Sequence, residues 1–249
     1  MTLLERPTPI KSGSLRFIRY GFMPNQLRYC GPDESRMLFD QAVENTIDGD
    51  VPPLLRRFSG AMPYLQLIAR ANGIRDPFDD RVVEAYWIGN RLLQKVEVRQ
   101  LYESLAERFG PQLRGRARDW VLSKAPAGAL PHHSFHVLDV YRLVGDRGDS
   151  LQTMDSCRIS WGTVVAVEGH ELLVDRAPIV LSDGRLRLAE PALTRVARQI
   201  DSRGFADSAR PGDQVSIHWG WVCEILTPLQ RIELERYTRH HLAIGNLTI

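Results

Sequence analysis

Apolar residues recur at three- and four-residue spacing through the first part of the chain, which is the period of an amphipathic helix. Leu38, Phe39, Ala42 and Val43 share one face in this way, and Gly73 is placed to end a later helix. The spacing predicts helices over residues 33–47, 60–72, 82–93, 98–109, 112–124 and 132–144, with an N-terminal cap at Asp76-Pro77. We therefore expect an all-α helical domain over residues 1–145.

A polar, glycine-containing stretch follows at residues 146–156, and we interpret it as a linker. Beyond it the period changes to two, the period of a half-buried strand, beginning in the run CRISWGTVVAV. Short strands are predicted over residues 157–167, 171–175, 177–181, 184–190 and 214–226, and a last helix over 228–244. The predicted fold class is α+β with two domains, the second being a small OB-like β-barrel over residues 157–249 with a C-terminal helix.

Composition, charge and cysteine count limit the classes of protein to which this chain can belong. Hydrophobic residues make up 43% of the chain and charged residues 25%, as in ordinary globular proteins. The 32 basic and 30 acidic residues are spread along the sequence, so we expect neither a nucleic-acid partner nor a membrane surface. The first residues lack the apolar core of a secretory signal, and the three cysteines are too few for a disulfide scaffold. These features favour a cytoplasmic protein with reduced thiols.

The second half resembles the small HypC/HupF-type chaperones of nickel–iron hydrogenase maturation. Those proteins combine a first strand of the form C-x-x-x-x-G-x-V, a Val-Asp pair, a strand G-D-x-V-x-x-H-x-G and an Ile/Val-Leu exit. The matching residues here are Cys157, Gly162, Val164, Val174, Asp175, Gly212, Asp213, Val215, His218, Gly220, Ile225 and Leu226. The resemblance covers roughly the last ninety residues and implies a HypC-like barrel.

The resemblance also implies a cargo and its ligands. The family carries an iron bearing carbon monoxide and cyanide, so Cys157 would be the iron thiolate and His218 its supporting ligand. A thiolate is a soft donor and imidazole also suits iron. Strand alternation places His218 opposite the apolar face of its strand, and the two ligands could meet where Cys157 lies at a frayed strand end. A buried, inert thiol at Cys157 is the alternative interpretation.

A second cluster of candidate ligands lies in the run PHHSFHVLDVY. On a helix beginning near Pro131, His132, His136 and Asp139 would share one face. Two histidines and a carboxylate can ligate non-haem iron, and haem is another possibility, although solvated imidazoles at a helix start are the alternative. Cys30 lies in a turn, and we consider the hypothesis that it meets His132, His136 and Cys157 between the domains.

Three functions therefore remain open. The first is an accessory protein whose partners are hydrogenase maturation proteins or the hydrogenase large subunit. The second is an iron- or haem-dependent enzyme whose helical half makes a small ligand or product for that pathway. The third is a metal-free adaptor that binds other proteins. No nucleotide-binding, hydrolase or zinc-protease motif occurs in the sequence.

Overall fold

The computed structural model describes residues 12–111, 113–141 and 151–248, and its first half is helical. Helices α1 to α7 are Gly13–Gln26, Ser35–Glu44, Val51–Leu55, Met62–Ala71, Asp80–Trp87, Val98–Phe109 and Gly115–Ser123, with a 3-10 turn at Arg91–Lys95. A one-turn helix, α8 (His133–Phe135), continues into a π-helical turn, His136–Tyr141. The predicted helical character of this half is confirmed.

Helices α1 and α3 are elements that the periodicity did not single out. The Ser12 side chain accepts a hydrogen bond from the Leu15 amide at the start of α1, and aromatic residues such as Phe17 and Tyr20 are fully buried along that helix. Asp79, not Asp76, caps α5, since its carboxylate accepts from the Arg81 amide at 3.0 Å. Asp76 accepts from the Phe78 amide instead and forms a turn before the helix.

The second half contains helix α9 (Leu151–Cys157), seven strands and helix α10 (Pro228–Gly245). The strands β1 to β7 are Ser160–Glu168, Glu171–Arg176, Ile179–Ser182, Arg185–Leu188, Ala192–Ala197, Gln214–His218 and Trp221–Ile225. Five of them pair in the closed order β1-β2-β5-β7-β6, with β6 returning to β1, while β3 and β4 form a separate hairpin. A mixed α and β chain with helices first and strands later is thus confirmed.

Two local expectations were wrong. Residues 214–226 form a hairpin and not one strand, because Trp219 and Gly220 both have positive φ, of 53° and 70°, which is the geometry of a two-residue hairpin turn. Trp219 therefore lies in the turn and not in a continuous strand. Cys157 does not lead a strand either, since it is the last residue of α9, and residues 151–156 of the expected linker are helical.

Aromatic side chains from the two halves share one hydrophobic cluster. The ring centroids of Phe22 and Trp221 lie 5.3 Å apart, and those of Phe39 and Phe205 are equally close. The division into a helical domain and a barrel domain stays a prediction. Helix α1 packs against β6 and β7, so the two halves meet along a continuous interior. Within the described ranges, no helix is long and apolar enough to cross a membrane.

Candidate metal site

Three potential metal ligands meet where α8, the end of α9 and the end of β6 converge. One ligand atom from each of His133, Cys157 and His218 lies within 4.8 Å of the other two. Both histidines are buried, with 4% and 2% of their surface exposed, and Cys157 is partly buried. Residues far apart in the sequence thus place one sulfur and two imidazole nitrogens around a common point.

The turn after β6 fixes two of these residues relative to each other. His218 is the last residue of β6, and the amide of the following Trp219 donates a hydrogen bond to the carbonyl of Ser156 at 2.8 Å. Ser156 immediately precedes Cys157, so this bond joins the hairpin turn to the end of α9. The positive φ of Trp219 makes the geometry possible. Cys157 and His218 are therefore brought together by a helix end and a tight turn.

The hydrogen bonds of His218 leave one nitrogen ready for a ligand. Its Nδ1 is 2.6 Å from the carbonyl oxygen of Tyr20, and since a carbonyl can only accept, Nδ1 carries the proton. The lone pair is then on Nε2, which is buried and has no hydrogen-bond partner among the described residues. A backbone carbonyl that holds the far nitrogen of an imidazole is a common support for a metal-binding histidine.

His133 is held at both nitrogens. Nε2 lies 2.9 Å from the carbonyl oxygen of Cys157 and so donates to it, while Nδ1 lies 3.1 Å from the Tyr86 hydroxyl and accepts from it. For Nε2 to bind a metal, its proton must move to Nδ1. The Tyr86 oxygen could then accept a hydrogen bond from that nitrogen. Metal binding at this residue thus involves an exchange of tautomer.

The surroundings keep the three groups uncharged before a metal binds. Burial lowers the pKa of His218 to about 4 and that of His133 well below its ordinary value, the neighbouring imidazoles adding to the effect at His133. Burial also raises the pKa of the Cys157 thiol to about 12, against a smaller opposing effect of the Trp219 indole. A metal would therefore have to displace a proton from the thiol, as is usual for thiolate ligands.

The donor set suits a borderline or soft transition metal. Zinc and iron accept mixed sulfur and nitrogen ligands, and trigonal sites of one cysteine and two histidines are known for copper. Metal–ligand bonds of about 2.0–2.3 Å require the ligand atoms to draw together by up to about 1 Å from their present spacing. Three protein ligands leave at least one coordination position open. Such open sites are typical of catalysis and of exchangeable cargo.

His132 faces away from this cluster and belongs to another network. Its Nδ1 accepts from the Ser134 amide and hydroxyl at 3.1 and 2.7 Å. The Ser134 oxygen in turn accepts from Nδ1 of His241 at 2.7 Å, and Nε2 of His241 accepts from the Leu130 amide at 3.2 Å. The Ser134 hydroxyl also lies 3.4 Å from the Tyr237 carbonyl oxygen, and Nε2 of His132 has no partner among the described residues. His132 is thus used as a helix cap.

The structure does not place the other predicted ligands at the cluster. His136 begins the π-helical turn, with its ring centroid 5.7 Å from that of Tyr64. Asp139 forms a buried ion pair with Lys124 at 2.8 Å. The single helical face expected for His132, His136 and Asp139 is absent, because α8 ends at Phe135 and the turn widens beyond it. Metal ligation by these residues stays a prediction that their contacts do not favour.

Cys30 lies near the cluster without belonging to it. It follows α1 in an exposed loop, and its carbonyl accepts from the Asn25 side chain at 3.0 Å. Cys30 adds to the rise in the pKa of the Cys157 thiol, after the larger effect of burial. Its neighbour Tyr29 stacks on Trp219 with a centroid distance of 4.1 Å. The hypothesis that Cys30 meets His132, His136 and Cys157 stays a prediction, and Cys30 is not a member of the group of three.

His133 is the candidate ligand that sequence reasoning missed. The run of histidines was evident, but the helix was expected to begin one residue early, which favoured His132 and His136. His132 has extended backbone angles, φ −115° and ψ 151°, and precedes the helix. A helix beginning at His133 would have assigned His132 to the capping position, where its side chain binds the Ser134 amide. The third cysteine, Cys223, is buried in β7.

A second feature of interest is a polar cleft between α10 and the closed sheet, with a volume of about 490 Å³. It is lined by Trp161, Gly162, Thr163, Asp175, Arg176, Ala177, Leu188, Ala189, Glu190, Pro191, Gln214, Arg231, Glu235 and Arg239. All four of the arginines and glutamates that face it from a helix or strand are paired with one another or with Asp155. The cleft includes none of the three clustered ligands.

The comparisons with known proteins identify a family and no activity. The model of a family of unknown function, DUF6390, matches residues 9–249, which is nearly the whole chain. The chain belongs to this family. No curated protein and no solved structure matches it. Since the DUF6390 match runs through both halves, the residues of the metal cluster all lie within the family's extent.

Proposed function

We propose that this DUF6390 protein is an accessory protein of nickel–iron hydrogenase maturation that holds or delivers an iron centre carrying carbon monoxide and cyanide. The observation that carries the proposal is the meeting of Cys157 and His218. These are the two ligands that the resemblance to HypC/HupF chaperones implies, and their ligand atoms lie within 4.8 Å of each other and of His133. The closed sheet followed by α10 is also what a HypC-like, OB-like barrel requires.

The iron would be cargo, and the residues present suit it. Cys157 would supply a soft thiolate, and His218 has a buried lone pair on Nε2 with no partner among the described residues. The remaining coordination positions would be free for the small ligands that the cargo carries. Both imidazoles are neutral because burial lowers their pKa values, so neither must lose a charge before binding a cation.

The helical half has a part in this proposal, since it provides His133. A site built from both halves would bind its cargo only when they are joined, which gives a reason for the two to be in one chain. Cys157 is less buried than either histidine. We expect exchange with a partner protein to begin at the sulfur, because an incoming ligand reaches that side first.

Infrared spectroscopy of protein purified without oxygen from hydrogenase-producing cells tests the proposal. We expect carbon monoxide and cyanide stretching bands together with stoichiometric iron in the unchanged protein. Both should disappear in the variants Cys157→Ala and His218→Ala, and should persist in Cys30→Ala and His240→Ala as matched thiol and imidazole controls. Bands that survive in Cys157→Ala and His218→Ala would contradict the ligand assignment, and the absence of any metal would leave the metal-free adaptor.

A metal-dependent enzyme is the second candidate, and the open coordination position favours it. In that function the metal would stay in place and a substrate would occupy the free position. The Tyr86 hydroxyl, 3.1 Å from Nδ1 of His133, could then exchange a proton with that ligand. Stoichiometric iron without the infrared bands of bound diatomics would support the enzyme over the cargo protein.

A further inference from the structure

Two indole N–H groups beside the metal cluster lack an oxygen or nitrogen acceptor. Nε1 of Trp87 and Nε1 of Trp219 are both buried, and neither donates to an oxygen or nitrogen atom within the part of the chain that the structure describes, the Cys157 sulfur being the neighbour of Trp219. A buried donor without an acceptor is unfavourable, so such groups call for an explanation. Trp221 has an unpartnered Nε1 as well, but its ring packs among Phe22, Phe39 and Phe205 in the shared aromatic cluster.

The position of Trp87 and Trp219 distinguishes them from Trp221. The ring of Trp87 lies against both candidate ligands, with centroid distances of 4.6 Å to His133 and 5.7 Å to His218. Trp219 directly follows His218, and its indole is close enough to the Cys157 sulfur to favour a thiolate there. The stack with Tyr29 holds the Trp219 ring over this side of the site. Each of the three ligands is therefore in contact with one of the two indoles.

Charge balance indicates what could accept these hydrogen bonds. A divalent metal with one thiolate and two neutral imidazoles carries a net charge of about +1 on formal counting. A buried, uncompensated charge is costly, and the histidines and aromatic rings around the site do not supply a negative group. A monoanion on the open coordination position would neutralise the centre. It would also present outer lone pairs to nearby N–H donors.

We propose that the site takes a small monoanionic ligand on its metal, and that the indole N–H groups of Trp219 and Trp87 hydrogen-bond to that ligand. The inference rests on the metal-binding part of the proposed function and deepens it. The ligand class comprises small anions with a terminal acceptor atom, such as azide, cyanide or hydroxide. The indoles are positioning groups for this ligand and do not bind the metal.

Azide titration of the cobalt-loaded full-length chain tests the inference. Cobalt binding is followed first by the absorption of the metal and its thiolate, and azide is then added while the metal absorption and the azide infrared stretch are recorded. In Trp219→Phe we expect unchanged cobalt affinity, a shifted azide stretch and azide affinity lower by at least about tenfold, as for the loss of one hydrogen bond to a charged group. Trp87→Phe should act in the same direction.

Trp120→Phe is the matched control, because that ring lies on α7 beside Arg116 and outside the cluster. Trp219 is the better test position, since it is only partly buried and a phenylalanine can keep the stack with Tyr29. Azide affinity and stretch equal in Trp219→Phe, Trp120→Phe and unchanged protein would overturn the inference while leaving the metal site standing. Failure of the unchanged chain to bind cobalt would instead overturn the metal site itself, and the inference with it.

Discussion

Two adjacent histidines have different surroundings in this protein, and the contrast indicates why only one of them is a candidate metal ligand. His132 and His133 are both almost completely buried. His132 caps α8 through Nδ1 and is linked to His241 through Ser134, while its Nε2 has no partner among the described residues. Both nitrogens of His133 are held, and its ring faces Cys157 and His218. The two imidazoles therefore differ in the groups that they face, since only His133 lies beside a sulfur and a second imidazole with a buried lone pair.

The largest expected effect comes from removing the sulfur. Cys157→Ala should lower the affinity for cobalt by more than about a hundredfold, because loss of a ligand must exceed the changes produced by outer-shell substitutions. The absorption of the thiolate-to-metal transition should disappear at the same time. Competition with a coloured chelator measures the affinity. Cys30→Ala, which removes a thiol outside the group of three, should bind cobalt like the unchanged protein.

The capping network should respond in stability and not in metal binding. His132→Ala removes the acceptor of the Ser134 amide and hydroxyl and leaves a cavity, so we expect a loss of about 2–3 kcal/mol in the free energy of unfolding. Urea titration followed by circular dichroism measures this loss. The folded fraction should still bind cobalt normally. If His132→Ala abolished cobalt binding in folded protein while His133→Ala retained it, the roles assigned to the two residues would be reversed.

Acid should destabilise the metal-free protein through its buried neutral imidazoles. Burial lowers the pKa of His132 to about 3 and that of His241 well below its ordinary value. Their unfolded pKa is about 6.5, so the unfolded chain binds more protons as the pH falls below that value. Stability is therefore complete above about pH 6.5 and declines toward lower pH, with His132 alone contributing a loss of about 2 kcal/mol by pH 5.

Urea midpoints of the metal-free chain at pH 7.5 and pH 5 measure this decline. His170→Ala is the control, because that imidazole is exposed beside Gln199 and outside this network, and the variant should keep the same pH dependence. A midpoint that does not change between the two pH values would show that these imidazoles are not buried as neutral groups.

The smallest expected effect concerns the support of His133. Tyr86→Phe removes the hydroxyl that lies 3.1 Å from Nδ1, and we expect cobalt affinity to fall by about tenfold or less. The effect is limited because the hydroxyl also stabilises the tautomer present before metal binds. Tyr64→Phe, which changes the adjacent stacked ring, is the control. An increase in affinity in Tyr86→Phe would show that the metal-free tautomer gains more from this bond than the bound one.

The sequence predicted the broad arrangement because period and composition are local properties. Helices α2 and α4 to α7, strands β1 to β4 and the last helix follow from spacing that can be counted along the chain, whereas α1, α3 and β5 were not predicted. The resemblance also directed attention to Cys157 and His218, and the structure places them together. The alternation of side chains along a strand could not have predicted this proximity. Cys157 lies at the end of α9, and His218 is followed by a turn that interrupts the alternation.

Particular residues explain what the sequence did not predict. Trp219 adopts a positive φ that bulky residues seldom take, and only the following glycine hinted at a turn. The position of His133 depended on a helix start shifted by one residue, and local signals place helix ends only approximately. Tyr20 and Tyr86 support the two imidazoles from distant helices. Such contacts depend on tertiary packing, which cannot be predicted from the spacing of residues along the chain.

X-ray absorption spectroscopy of the zinc-loaded chain tests the central claim most directly, because it reads the ligand atoms themselves. We predict one sulfur at about 2.3 Å and two imidazole nitrogens at about 2.0 Å, with the remaining position occupied by a light atom. His133→Ala should lose one imidazole contribution and His132→Ala none. A spectrum without sulfur, or one in which His132→Ala and not His133→Ala loses an imidazole, would contradict the account.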